Sequence, residues 1–76
     1  MEEIFKEIAE ERGYQDFKWG GPSHDDQHDE DDWIGFIEEH ARKAAPGMDL
    51  DPQLFRKQMV RVAALALAAI EWVDRR

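Results

Sequence analysis

The segment "DPQLFRKQMVRVAALALAAIEWVD", residues 51–74, decides the fold because it predicts one long helix that is apolar on almost every side. Asp51 is a good N-terminal cap, and Pro52 stands at the first helical position, where its missing N–H is not needed. Between residues 59 and 73 only Arg61 and Glu71 are not apolar. Since a surface helix carries a single apolar stripe, this pattern indicates burial on most sides.

Two shorter helices are predicted before it. The first covers residues 2–12 and is expected to stop at Gly13. The second covers residues 32–45, begins at a cap formed by Asp31 or Asp32 and ends before the Pro-Gly pair that follows it. Between them, residues 13–31 are predicted to form a long acidic loop because the sequence GGP interrupts regular structure there.

The whole chain, residues 1–76, is predicted to be a single all-α domain of three helices. A chain this short has a marginal core. Two short helices cannot cover a third that is apolar all round. We therefore expect a homo-oligomer, most simply a dimer, that assembles through the final helix.

Composition excludes several classes of function. The formal charge is −8, from 18 acidic and 10 basic residues, so direct nucleic-acid binding is not expected and a basic partner fits better. The chain has no cysteine, which excludes disulfides and thiolate zinc sites. The acidic N-terminal segment does not resemble a signal peptide, and no apolar run is long enough to span a bilayer. A cytoplasmic protein without membrane association is expected.

The run "HDDQHDEDD", residues 24–32, is the first candidate site. Imidazole and carboxylate groups bind divalent metals. The run does not follow a zinc or calcium spacing, so a solvated loop that caps the next helix is the alternative. The candidate ligands for Mg²⁺ or another divalent ion are His24, Asp25, Asp26 and His28.

His40 lies on the apolar stripe of the second helix and is the next candidate. Such a histidine is most often a core residue hydrogen-bonded to a neighbour, and Asp25, Asp26 or His24 could be that neighbour. This contact would fold the acidic run back onto the helices. Trp19, beside two glycines, is the tryptophan best suited to stack on a base.

Glu38 and Glu39 form a pair of adjacent acids that could hold magnesium. Arg42 and Lys43 follow them at i+4, however, in the order that favours surface ion pairs. The sequence leaves both interpretations open.

The segment "EERGYQDFKWGGPSHDD" resembles the opening of small proteins common in bacteriophages and prophages. The segment "FIEEHARKA", followed by "FRKQMVRVAALALAAIEWVDRR", resembles the two central helices of MazG-like all-α nucleotide pyrophosphohydrolases, which include phage-type members. The likeness covers residues 10–76. It implies a helical nucleotide-binding fold in which an E-E-x-x-E and an E-x-x-D segment hold Mg²⁺ for hydrolysis.

Only part of that metal-binding pattern is present in this chain. Its first two acids correspond to Glu38 and Glu39. The third corresponds to Arg42, and the E-x-x-D pair corresponds to Gln58 and Arg61. Cations at these places repel Mg²⁺ and attract phosphate. The resemblance therefore implies nucleotide affinity with weak or no hydrolysis.

The function expected from the sequence is binding of a nucleotide or related phosphate ligand. One alternative is a metal-dependent pyrophosphohydrolase that uses Glu38 and Glu39. Another is a small acidic phage anti-defence protein that inhibits a host protein or sequesters a nucleotide messenger. The expected ligand-binding residues are Trp19, His40, Arg42 and Arg61.

Overall fold

The computed structural model describes residues 1–44 and 51–76, apart from the side chain of His24. These residues form helices only, so the all-α prediction is confirmed for this part of the chain. The predicted end of the second helix at residue 45 lies outside the described residues. The helices are α1 (Glu2–Trp19), α2 (Pro22–Asp25), α3 (Glu30–Ala44) and α4 (Pro52–Asp74).

Helix α1 continues past Gly13, so its predicted end at residue 12 is wrong. A glycine inside a helix costs only about 1 kcal/mol relative to alanine, which tertiary contacts can offset. Here the second half of α1 supplies Gln15, which is buried and donates a hydrogen bond to the carbonyl of Arg61 on α4 (3.4 Å). The helix ends instead at Gly20, which has a φ of 98° and donates its N–H to the carbonyl of Asp16.

The predicted loop at residues 13–31 is also wrong over most of its length. Residues 14–19 belong to α1, α2 occupies four further positions, and α3 begins at Glu30. The cap of α3 is Asp29, not Asp31 or Asp32 as predicted. Asp29 accepts a hydrogen bond from the backbone of Asp32 (2.9 Å), and Asp32 accepts one from the backbone of Asp29 (3.2 Å). This reciprocal pair satisfies two N–H groups and fixes the start of the helix.

Helix α4 lies at the centre and packs against both α1 and α3. Its start is capped by Asp51, whose carboxylate accepts hydrogen bonds from two backbone N–H groups, at 3.0 and 3.3 Å. Trp33 from α3 packs against Trp72 from α4 with the ring centroids 6.4 Å apart. The buried cluster around these rings consists of Trp33, Leu65, Ala68 and Trp72. Within the described ranges, no helix has the length and apolar character needed to cross a bilayer.

An ion pair at the surface joins the start of α4 to α1. The guanidinium of Arg56 donates two hydrogen bonds to the carboxylate of Glu7, at 2.6 and 2.7 Å. These bonds hold the pKa of Glu7 below its ordinary value of 4.5. The pair therefore stabilises the fold above the unfolded-state pKa of Glu7, and this contribution disappears as the pH falls through the lower, folded-state pKa.

Replacing Arg56 with glutamine should return the pKa of Glu7 towards 4.5 because the two charge-assisted hydrogen bonds are lost. NMR titration of the Glu7 carboxyl carbon in both proteins measures this shift directly. Urea unfolding should show the stability difference between them in full above about pH 5 and shrinking at lower pH. An unchanged Glu7 titration in Arg56→Gln would contradict the ion pair.

Candidate functional site

A cavity of about 390 Å³ lies between α1, α3 and α4, with α2 at its edge. Its wall combines aromatic rings and aliphatic side chains with charged groups of both signs. Pockets that bind small molecules have volumes of about 300–1,000 Å³ and a mainly apolar wall with a few polar groups. This cavity therefore has room for one ligand of mononucleotide size.

Arg12 organises the wall where α1, α2 and α4 meet. Its side chain is 11% exposed, and its terminal nitrogens contact carboxylates from all three helices. One nitrogen pairs with Asp16 in the next turn of α1. The other lies 3.2 Å from Asp25 and 3.5 Å from Glu71. Arg12 is not among the residues predicted for the site, although its i,i+4 spacing to Asp16 is a signal in the sequence.

Asp25 is buried in this network, and it connects the short helix α2 to the three-helix body. Its side chain is as little exposed as that of Arg12, at 11%. Burial of a carboxylate is tolerated when a cation and hydrogen bonds compensate its charge. The acidic run is thus held against α1 by Arg12 rather than solvated along its whole length.

His40 has a hydrogen-bonded neighbour, as predicted, but among the described side chains that neighbour is Gln58 and not Asp25 or Asp26. Its Nδ1 lies 3.1 Å from Oε1 of Gln58, which is buried on α4. The predicted partners Asp25 and Asp26 bind arginines instead, and the His24 side chain lies outside the described part. His40, Asp25 and His28 nevertheless line the same cavity, so the fold brings the acidic run and α3 together there.

His28 stands at the start of α3 with its ring against two aromatic side chains. Its ring centroid lies 6.0 Å from that of Trp33 and 5.0 Å from that of Phe36, both edge to face. Its Nδ1 is 3.3 Å from the carboxylate of Asp32. This placement gives the cavity an imidazole that is anchored by packing and by a hydrogen bond.

The proposed metal ligands are spread over several contacts. Asp25 pairs with Arg12, and Asp26 lies 2.7 Å from Arg75. Among the side chains that the structure describes, no three histidine or acidic groups converge in the manner of a metal site. His24 is not among those side chains, so binding of a divalent ion by the run stays a prediction.

Glu38 and Glu39 form the surface ion pairs that the spacing allowed. Glu38 lies 3.9 Å from Arg42 and Glu39 lies 3.2 Å from Lys43, and all four side chains are more than half exposed. Glu39 and Lys43 also line the cavity. The sequence predicts Lys43 only as an ion-pair partner of Glu39.

The two arginines expected to face phosphate lie elsewhere. The Arg42 side chain is 83% exposed at the surface of α3. Neither Arg42 nor Arg61 is among the residues that line the cavity; its cations are Arg12, Lys18 and Lys43.

Trp19 and Lys18 form a cationic and aromatic pair at the end of α1. Both line the cavity, and the ammonium group of Lys18 lies 5.3 Å from the centroid of the Trp19 ring. Trp19 is 42% exposed, which leaves part of its surface open to a ligand. A base can stack on an indole, and an ammonium group attracts phosphate, so the pair suits the two ends of a nucleotide.

Comparison with known proteins gives no identification. No protein-family model, curated protein or solved structure matches the chain significantly. The resemblance to MazG-like proteins thus stays a prediction that rests on the quoted sequence segments, and the function has to be argued from the cavity.

Proposed function

We propose that the protein binds one nucleotide or a related phosphate ligand in the cavity, with weak or no hydrolysis. The observation that carries this proposal is the Lys18 and Trp19 pair on the wall of a cavity of about 390 Å³. Arg12 and Lys43 each face a carboxylate, whereas Lys18 has no ion pair with a described residue. Lys18 is thus the cation best placed to receive an anionic group.

Weak or absent hydrolysis is proposed because of the surroundings of Glu38 and Glu39, the two acidic residues that match the metal-binding pattern of the family. Glu38 and Glu39 are exposed and face basic side chains at i+4, an arrangement that opposes binding of Mg²⁺ between them. Pyrophosphate release that requires Mg²⁺ or Mn²⁺ and disappears in Glu38→Gln would favour the hydrolase alternative.

The test is a titration of nucleoside mono-, di- and triphosphates by calorimetry, supported by thermal shifts. A ligand at a hundredfold excess over its Kd should stabilise the fold by about 2.7 kcal/mol. Lys18→Met should weaken binding about tenfold or more because a charge-assisted contact to phosphate is lost.

Lys6→Met is the matched control for this substitution. Lys6 lies on the same helix, is exposed and does not line the cavity, so its loss should change Kd by less than about twofold. Absence of binding for every nucleotide tested, or equal effects of the two substitutions, would refute the proposed site.

The proposal also includes a homodimer formed through α4. The large apolar side chains Leu67, Ile70 and Val73 on this helix are 42%, 58% and 55% exposed. The neighbouring Glu71 lies 3.5 Å from Arg12 on α1, and its side chain is 56% exposed. Large apolar side chains that are exposed together on one helix are typical of an interface between subunits.

A further inference from the structure

Three polar atoms of the cavity-lining residues have no hydrogen-bond partner among the described residues, although they are buried. They are Nε1 of Trp33, Oε1 of Gln15 and Nε of Arg12. Trp33 and Gln15 are 5% and 4% exposed, so solvent cannot easily satisfy these groups. Buried polar groups are nearly always paired, and an unpaired one costs about 1–3 kcal/mol.

The orientation of the Gln15 amide is fixed by its other contacts. Its Nε2 donates to the carboxylate of Glu11 (3.0 Å) and to the carbonyl of Arg61 (3.4 Å). Rotating the amide by 180° would place its oxygen against those two acceptors, which would be repulsive. Oε1 is therefore held as an unpaired acceptor.

The Trp33 indole is fixed by packing rather than by hydrogen bonds. Its ring contacts Trp72 in the buried cluster and Phe36 at the cavity, with centroids 6.4 and 6.1 Å away. The orientation of its N–H is thus set before a ligand arrives. Two residues of the cavity lining thus carry buried, unpaired groups: an acceptor on Gln15 and a donor on Trp33.

We infer that these two groups read the edge of a planar heterocycle, so that the ligand is a base-bearing nucleotide rather than a sugar phosphate or inorganic phosphate. This inference rests on the proposed function. A ligand N–H is donated to Oε1 of Gln15, and a ligand carbonyl or ring nitrogen accepts from Nε1 of Trp33. Both protein atoms are covered by neighbouring side chains, so a ligand reaches them only after those neighbours rotate, a change common on binding, while Gln15 and Trp33 keep their orientation.

The experiment compares a panel of nucleoside 5′-monophosphates with ribose 5-phosphate, which has the same phosphate and sugar without the base. The wild-type protein should bind at least one monophosphate about tenfold or more tightly than ribose 5-phosphate. Trp33→Phe removes the N–H and keeps an aromatic ring. It should reduce the ratio of the affinity for the monophosphate to the affinity for ribose 5-phosphate by about tenfold. The Kd for ribose 5-phosphate should stay within about twofold of the wild-type value.

Trp72→Phe is the matched control, since it makes the same change in the same cluster at a residue that does not line the cavity. It should preserve the ratio. Gln15→Met provides a second variant with an intact indole and should also reduce the ratio. Circular dichroism and urea unfolding verify that each variant is folded before binding is measured.

The outcomes separate the two proposals. A ratio that falls in Trp33→Phe and Gln15→Met but not in Trp72→Phe supports base reading. A wild-type preference for nucleotides that neither Trp33→Phe nor Gln15→Met changes overturns base reading and leaves the proposed function intact. Failure of the wild-type protein to bind any nucleotide overturns the proposed function and this inference together.

Discussion

Arg12→Met should destabilise the protein by about 3 kcal/mol or more, because breaking a buried ion pair by removing one partner typically costs 3–5 kcal/mol. A domain of 76 residues has little stability to lose, so the variant should be largely unfolded at 37 °C. Urea unfolding followed by far-UV circular dichroism at low temperature measures the loss.

The size of this effect follows from the burial of the ion-pair network. Asp25 is 11% exposed, and without the guanidinium its charge would lie near that of Asp16 with no compensating cation from α1. Methionine fills much of the space of the arginine stem but removes the cation that contacts both carboxylates. The attachment of α2 to the other three helices should weaken. Since α2 lies at the edge of the cavity, that edge should become less ordered.

Arg42→Met is the matched control because it removes the same groups from an exposed position. The Arg42 side chain is 83% exposed, and its pair with Glu38 is long at 3.9 Å. Exposed pairs contribute about 0–1 kcal/mol, so this variant should lie within about 0.5 kcal/mol of the wild type. Adding Asp25→Asn to Arg12→Met should recover part of the loss. Equal losses of unfolding free energy in Arg12→Met and Arg42→Met would show that the buried ion pairs of Arg12 stabilise the fold no more than an exposed pair does.

The long C-terminal helix could be predicted from sequence because its signals are local. Asp51 and Pro52 mark its start, and the apolar run fixes its extent. The predicted end of α1 at residue 12 is wrong because Gly13 does not terminate the helix. What overrides that local preference is the contact between Gln15 and the backbone of Arg61, 46 residues later in the chain. Local propensity carries no information about such a contact.

The candidate site was predicted only in part, since its polar contacts join distant segments. Asp25 pairs with Arg12 across 13 residues, and Asp26 pairs with Arg75 across 49. The composition of the acidic run suggested metal ligands or solvated groups. It could not indicate that arginines from both ends of the chain bind these carboxylates. Trp19 and His40, which the sequence predicts as ligand-binding residues, both line the cavity, and their role in binding stays a prediction.

Ile70→Glu should abolish the proposed dimer, raising its dissociation constant by about a hundredfold or more. Burying an isoleucine side chain contributes about 1.5–3 kcal/mol, and a two-fold interface contains the residue twice. The glutamate would also bring two like charges into an apolar contact. Sedimentation equilibrium over a range of protein concentrations measures the constant for the wild type and the variant.

Ile34→Glu is the matched control because it introduces the same charge at a similarly exposed isoleucine on another helix. Ile34 on α3 is 54% exposed and Ile70 on α4 is 58% exposed, so the intrinsic cost of the substitution to each subunit should be comparable. If α4 forms the interface, Ile34→Glu stays dimeric at concentrations where Ile70→Glu is monomeric. A wild-type protein that is monomeric and fully folded at tens of micromolar would refute the interface. The exposed apolar side chains of α4 would then need another partner, whereas the ligand cavity, which is lined by residues of one subunit, would not depend on this result.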